Sequence, residues 1–253
     1  MDTARPIDAL IARMEGLLGQ LQASPDTQGS AFFLATYLRT TKAVAADIVA
    51  GRFEDAAWTE AWDIAFASLY LDAVEQWTTS GHAPEPWRVA FGSGQQPERL
   101  PPLRHVLLGM NAHINYDLPQ ALLAVVTDEE FDDPTLIASR RLDHEHIDDI
   151  LASRVAAEDA ELRKVERPGD RTMLDRALTP FNRRATRRFL KEARQKVWRN
   201  ALQLSQARRR GALDERLGEL ERLSAQRVAD LRAPGQVVLR LARDGFGVEL
   251  RAR

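Results

Sequence analysis

The chain has 253 residues, 44% hydrophobic and 28% charged, with a formal net charge of -2; this is the make-up of a soluble globular protein with enough material for one substantial core. It contains no cysteine, which removes disulfides, thiolate metal sites and a thiol nucleophile and leaves nitrogen and oxygen as the ligands for any metal. The near-balanced charge gives no global reason to expect nucleic acid, no apolar run approaches the roughly 18 residues of a membrane span, and Met1–Pro6 lacks a basic-then-apolar leader, so the expected location is cytoplasmic.

Apolar residues at 7, 10, 11, 14, 17, 18 and 21 recur with helical period and predict a first helix over 7–23, ended by the polar link Ser24–Gly29. A second helix runs from Ser30 to about Ala50, and a third from about Glu54 to Thr79 carries Trp58, Trp62, Phe66, Leu69 and Tyr70 on one side. Such an aromatic stripe reads first as core. Pro86 admits a short helix over Trp87–Phe91, and Pro101-Pro102 opens a longer one to about Val126. Pro119 falls inside that helix, where it lacks an amide and crowds the carbonyl of Asn115, so a kink beside Asp117 is expected. Asp128–Pro134 reads as an acidic connector before a helix running from near Thr135 to Val165.

Beyond a break at Arg167–Asp170, a short helical turn over 173–177 precedes a long helix over 181–210 with eleven Arg or Lys residues and Glu192 as its one acidic residue. These charges surround the helix rather than forming a stripe, which favours a solvated or ion-paired face over a nucleic-acid surface. Residues 212–232 form another amphipathic helix, and 237–241 are read as a short helix followed by a tail from about 243. The expected architecture is a single-domain, all-α bundle of roughly eight helices over 1–253, with a kinked central helix.

The motif that carries chemistry is Gly109-Met110-Asn111-Ala112-His113-Ile114-Asn115-Tyr116-Asp117-Leu118-Pro119. His113 and Asp117, four apart on a helix, share a face, and His144 with Asp148 repeats the spacing on the later helix. Two helices are thereby able to offer His113, Asp117, His144 and Asp148 to one divalent metal ion of unassigned identity, as bundles do with inward-pointing side chains. Without a metal, His113 oriented by Asp117 suits proton transfer, with Tyr116, Asn111 or Asn115 giving hydrogen bonds. The simpler alternative is a local hydrogen bond in which Asp117 fixes the His113 tautomer. His105 lies about 80° around the helix from His113 and suits a supporting position. There is no Gly-x-Ser-x-Gly elbow, P-loop or Gly-x-Gly-x-x-Gly fingerprint.

The Gly-Met-Asn-Ala-His-Ile-Asn-x-Asp-Leu-Pro stretch resembles the signature of an uncharacterised microbial domain-of-unknown-function family of all-helical proteins. The resemblance extends to Phe66–Leu71, Ala90-Phe91, the Asp/His-rich helix after the signature, and Trp198 near Ala201. It implies an all-helical fold and importance for Asn111, His113, Asp117 and Pro119; where this chain has Asp148 the family often has Asn. The resemblance names no reaction. The preferred expectation is a small-molecule enzyme, in one form a metal-dependent hydrolase, with a His/Asp site between two helices. The alternative is a non-catalytic helical protein that binds a hydrophobic ligand or a protein partner.

Overall fold

Helical period along the chain becomes a bundle through well-defined helix starts and stops. The computed structural model describes residues 5–92, 100–165, 192–233 and 245–251, apart from the side chains of 148, 152, 155, 156, 159, 162 and 163. Helix α1 spans Pro6–Gln22, α2 Gln28–Val49, α3 Ala56–Ser80 and α4 Glu85–Phe91. The central rod consists of α5 (Pro102–Ala112), a wide π-turn (His113–Asp117) and α6 (Leu118–Val125). After a short 3-10 turn at Glu130–Asp132 come α7 (Pro134–Val165), α8 (192–209) and α9 (Leu213–Arg232). The fold is an all-α single-domain bundle, as the periodicity predicts, and no strand occurs among the described residues. The expected turn at 173–177, the start of the basic helix and the 237–241 helix lie outside the described residues. No described helix is long and apolar enough to cross a membrane.

The ends of α3 show local chemistry at work. Asp55 caps its start by accepting the amide of Trp58 at 2.9 Å, and Gly81 closes it in the left-handed conformation at φ 72°, which a side chain would resist. The buried carboxylate of Asp143 on α7 accepts the amides of Glu54 and Asp55 at 2.7 and 2.9 Å, fixing α7 to the entry of α3.

Helix α1 packs on α2 and α3, α2 on α5 and α7, and α3 on α6, while α9 covers α4 and α5. The largest apolar cluster joins α1 to α5 through Met14, Leu34, Tyr70, Leu71, Trp87 and Leu108. Burying each such side chain contributes about 1.5–3 kcal/mol. Helices α2 and α5 approach closely because position 109 is glycine: a Cβ there would fall 2.5 Å from Cγ of Phe33.

Pro119 sits in the first turn of α6, where its missing amide is tolerated. The irregularity expected beside Asp117 takes the form of the π-turn, closed by the Leu118 amide donating to the carbonyl of His113, five residues back. The segment 245–251, expected as a tail, is bound to the bundle with Phe246, Val248 and Leu250 buried.

Candidate functional site

The π-turn presents two faces. On one, His113 and Asp117 remain neighbours: Nδ1 of His113 lies 2.8 Å from Oδ2 of Asp117. The indole Nε1 of Trp87, from α4, donates to that same oxygen at 2.9 Å. All three side chains are buried, His113 being 3% exposed. The carboxylate thus fixes the imidazole ring and the indole fixes the carboxylate, while Nε2 of His113 has no hydrogen-bond partner among the described residues.

Aromatic rings wall the imidazole. Phe66 of α3 stacks flat on it, with centroids 3.5 Å apart and planes 7° from parallel. Tyr37 and Phe33 of α2 meet it edge-on at 4.7 and 5.9 Å, and Tyr70 of α3 does so at 5.9 Å. This lining also carries polar atoms without partners among the described residues: the hydroxyls of Tyr37 and Tyr70 and Oδ2 of Asp63. One turn further along the same helices, the buried hydroxyls of Thr41 and Thr59 are unpaired as well. Each unmet buried polar group costs about 1–3 kcal/mol, so their concentration between α2, α3 and the π-turn marks this interior as the place to seek function.

Burial sets the electrostatics. It pushes the His113 imidazole well below its ordinary pKa and the Asp117 carboxyl well above its own, with the Trp87 hydrogen bond partly opposing the latter. Both shifts favour an uncharged pair; with the carboxyl proton directed at Nδ1, the imidazole proton sits on Nε2, which is then a donor. Burial alone raises Asp63 to about 7. The Tyr37 phenol is pushed up by burial and further by Asp63 and Asp117, whose charges it feels.

A family of unknown function, DUF5995, matches residues 7–234. The chain belongs to this family. No curated protein and no solved structure matches it. The matched span takes in the whole rod, both ends of the His113 environment and the later helix with His144.

Other residues singled out by this DUF5995 sequence occupy different surroundings. His144 is buried on α7, accepts the Trp198 indole N–H on Nδ1 at 2.7 Å and has no partner for Nε2 among the described residues. It meets Trp62 edge-on at 4.7 Å, and Trp62 in turn stacks parallel to Phe66, so two rings separate His144 from His113. Among the described residues no group of three or more His, Asp or Glu side chains is placed to hold a metal ion; the Asp148 side chain lies outside those described. Asn111 is turned away from His113 and donates to the carbonyl of Phe246 at 2.9 Å. Tyr116 packs beside Leu213 and Leu217 against the third apolar cluster, and its phenol is pushed up by burial, then by Glu221 and Asp117. His105 packs against Gly29 and Phe32 of α2.

Asp63, Tyr37 and Trp87 were not expected in the site, and Tyr70 was expected as part of the aromatic stripe of the third helix, which reads first as core. Asp63 had a signal, since a carboxylate one residue after Trp62 and three before Phe66 stands on a face otherwise apolar. Trp87 had none, because no spacing rule links a short helix to a residue thirty positions later. On the basic helix, Arg208 pairs with Asp128 at 2.6 Å and Arg209 with Asp132 at 2.8 Å, so these charges meet the acidic connector.

Proposed function

We propose that this DUF5995 protein is a small-molecule enzyme in which the His113–Asp117 pair performs acid–base chemistry on an acceptor-rich carbonyl or carboxylate compound. The substrate is enclosed between α2, α3 and the π-turn. One observation carries the reading: Nε2 of His113 is buried and unpaired while Nδ1 is fixed by a carboxylate that Trp87 holds in turn. Nε2–H donates to the substrate oxygen, in an interior that also holds the unpaired hydroxyls of Tyr37 and Tyr70. Negative charge left on the pair is eased by the Trp87 indole. Asp63, with a pKa of about 7, is suited to take up the proton of an attacking water, which makes hydrolysis the reaction class to test first. This mechanism uses the His113–Asp117 pair without a metal shared with His144.

A second reading rests on the enclosure of the site, with His113 at 3% exposed: a carrier that sequesters its ligand without turning it over. A panel of small esters and lactones, measured for turnover and for binding by ligand-observed NMR, separates the two. Under the enzyme reading, His113→Gln lowers turnover by about 100-fold or more while the far-ultraviolet circular dichroism stays unchanged. Binding without turnover decides for the carrier. Turnover indifferent to His113→Gln, or no binding at all, removes His113 from function.

A further inference from the structure

The second face of the π-turn grips a peptide backbone. Asn115 donates from Nδ2 to the carbonyl of Phe246 at 3.0 Å and accepts the amide of Val248 on Oδ1 at 2.9 Å. Two residues further on, Asn200 of α8 repeats the pattern, donating to the carbonyl of Val248 at 3.1 Å and accepting the amide of Leu250 at 2.9 Å. Asn111 adds a second donor to Phe246, Gln203 donates to the Leu250 carbonyl at 2.8 Å, and Arg216 to the Arg251 carbonyl at 2.7 Å. The two-residue repeat is that of an extended chain. Each side-chain amide offers an N–H and a C=O side by side, as the edge of a β-strand does.

We infer that this groove is a peptide-binding site, occupied in cis by residues 245–251, which accepts in their place an extended peptide from another protein with apolar side chains at alternating positions. The grip is on main-chain atoms, so it is available to any extended sequence. Selectivity comes from the sockets. Phe246 enters the cluster containing Val228 and Leu231, and Val248 and Leu250 enter the one containing Leu123, Leu204 and Leu220. Between them, a Cβ on Gly247 would fall 2.8 Å from Cα of Ala193, so that position takes glycine. The partner's pattern is therefore apolar, glycine, apolar, any residue, apolar.

The strap is what buries these side chains: with it in place Asn111, Asn115 and Asn200 are 0–1% exposed, so any occupant of the groove has to meet the same donors and acceptors. The three asparagines lie within the span that matches the family, 7–234, whereas the strap follows it.

The probe is a fluorescent synthetic peptide copying residues 245–251, titrated by anisotropy into the full chain and into a full-length variant with a weakened strap, Phe246→Ser with Leu250→Ser. Binding is expected to be about tenfold tighter to the weakened-strap chain, because the cis competitor is removed. Adding Asn115→Ala is expected to reverse that gain. In the wild-type chain, the Val248 and Leu250 amides are expected to exchange with deuterium about tenfold faster than the core amides of α3, through local release of the strap. Exchange of those two amides only at the global unfolding rate overturns the proposal, whether or not the variants fold. So does a folded weakened-strap chain that ignores the peptide. Concentration-dependent dimers that excess peptide fails to dissociate would overturn it in favour of strap exchange between copies.

Discussion

Replacing Asp63 with asparagine tests the buried polar interior through stability alone. Asp63 is 5% exposed, its Oδ2 has no partner among the described residues, and burial raises its pKa from 3.8 to about 7. In the unfolded chain the same carboxyl ionises near its ordinary value. Between the two pKa values the folded protein holds a proton that the unfolded chain has released, so stability falls as pH rises through this window. The contribution is complete below the unfolded pKa and is lost by the time pH passes about 7. At 1.36 kcal/mol per unit, the whole window is worth about 4 kcal/mol, of which about 3 kcal/mol falls between pH 5 and pH 8. Asparagine has nearly the shape of the protonated acid and cannot ionise. Asp117, also raised, acts in the same direction as Asp63, while His113, depressed, loses stability as pH falls below its unfolded value; both remain in the variant and cancel in the comparison. Urea unfolding of the two proteins at pH 5 and pH 8 is the assay. Asp63→Asn is expected to gain about 3 kcal/mol on the wild type between those pH values. A stability gap that is the same at both refutes the placement of Asp63 as a buried, unpaired acid.

Two further substitutions probe how the site is held. Gly109→Ala puts a methyl group into the Phe33 ring, 2.5 Å from Cγ, and is expected to cost about 1–3 kcal/mol in thermal melts; an unchanged melting temperature would show that α2 and α5 are not so close. Asp143→Ala removes the acceptor of the Glu54 and Asp55 amides and is expected to cost about 2–4 kcal/mol in chemical unfolding, with Asp143→Asn recovering part of it. Equal losses in the two variants would show that packing rather than hydrogen bonding sets the cost.

Much of the bundle was legible because helical burial writes itself into spacing. The stripe at Ile7, Leu10, Met14, Leu17 and Leu21 is the buried face of α1, and Pro6, Pro86 and Pro102 lie in the first turns of their helices. The contact of His113 with Asp117 followed from the same geometry, because four-residue neighbours stay together in an α-helix and across this π-turn alike. What spacing withholds is which way a second helix faces. His144 was expected beside His113, but the rings of Phe66 and Trp62 lie between them. Asn111 was expected to serve the substrate, but an asparagine two residues before a histidine points to the far side of a helix, and there it meets Phe246. The strap was illegible for another reason: its partners are amides from the π-turn and α8, and an extended segment held by side chains has no sequence period of its own beyond alternating burial.

The two-faced π-turn restricts changes of length more severely than changes of letter. A substitution at 113 or 117 touches the imidazole pair, and one at 111 or 115 touches the strap, so each face is able to drift on its own. Deleting a single residue between them closes the wide turn into an ordinary α-turn, because a π-turn holds one residue more than an α-turn does. The spacing that carries the imidazole pair on one face and the strap's asparagine on the other would be lost in one step. Across relatives aligned to this chain, gaps are accordingly expected in the connectors and not between residues 111 and 117.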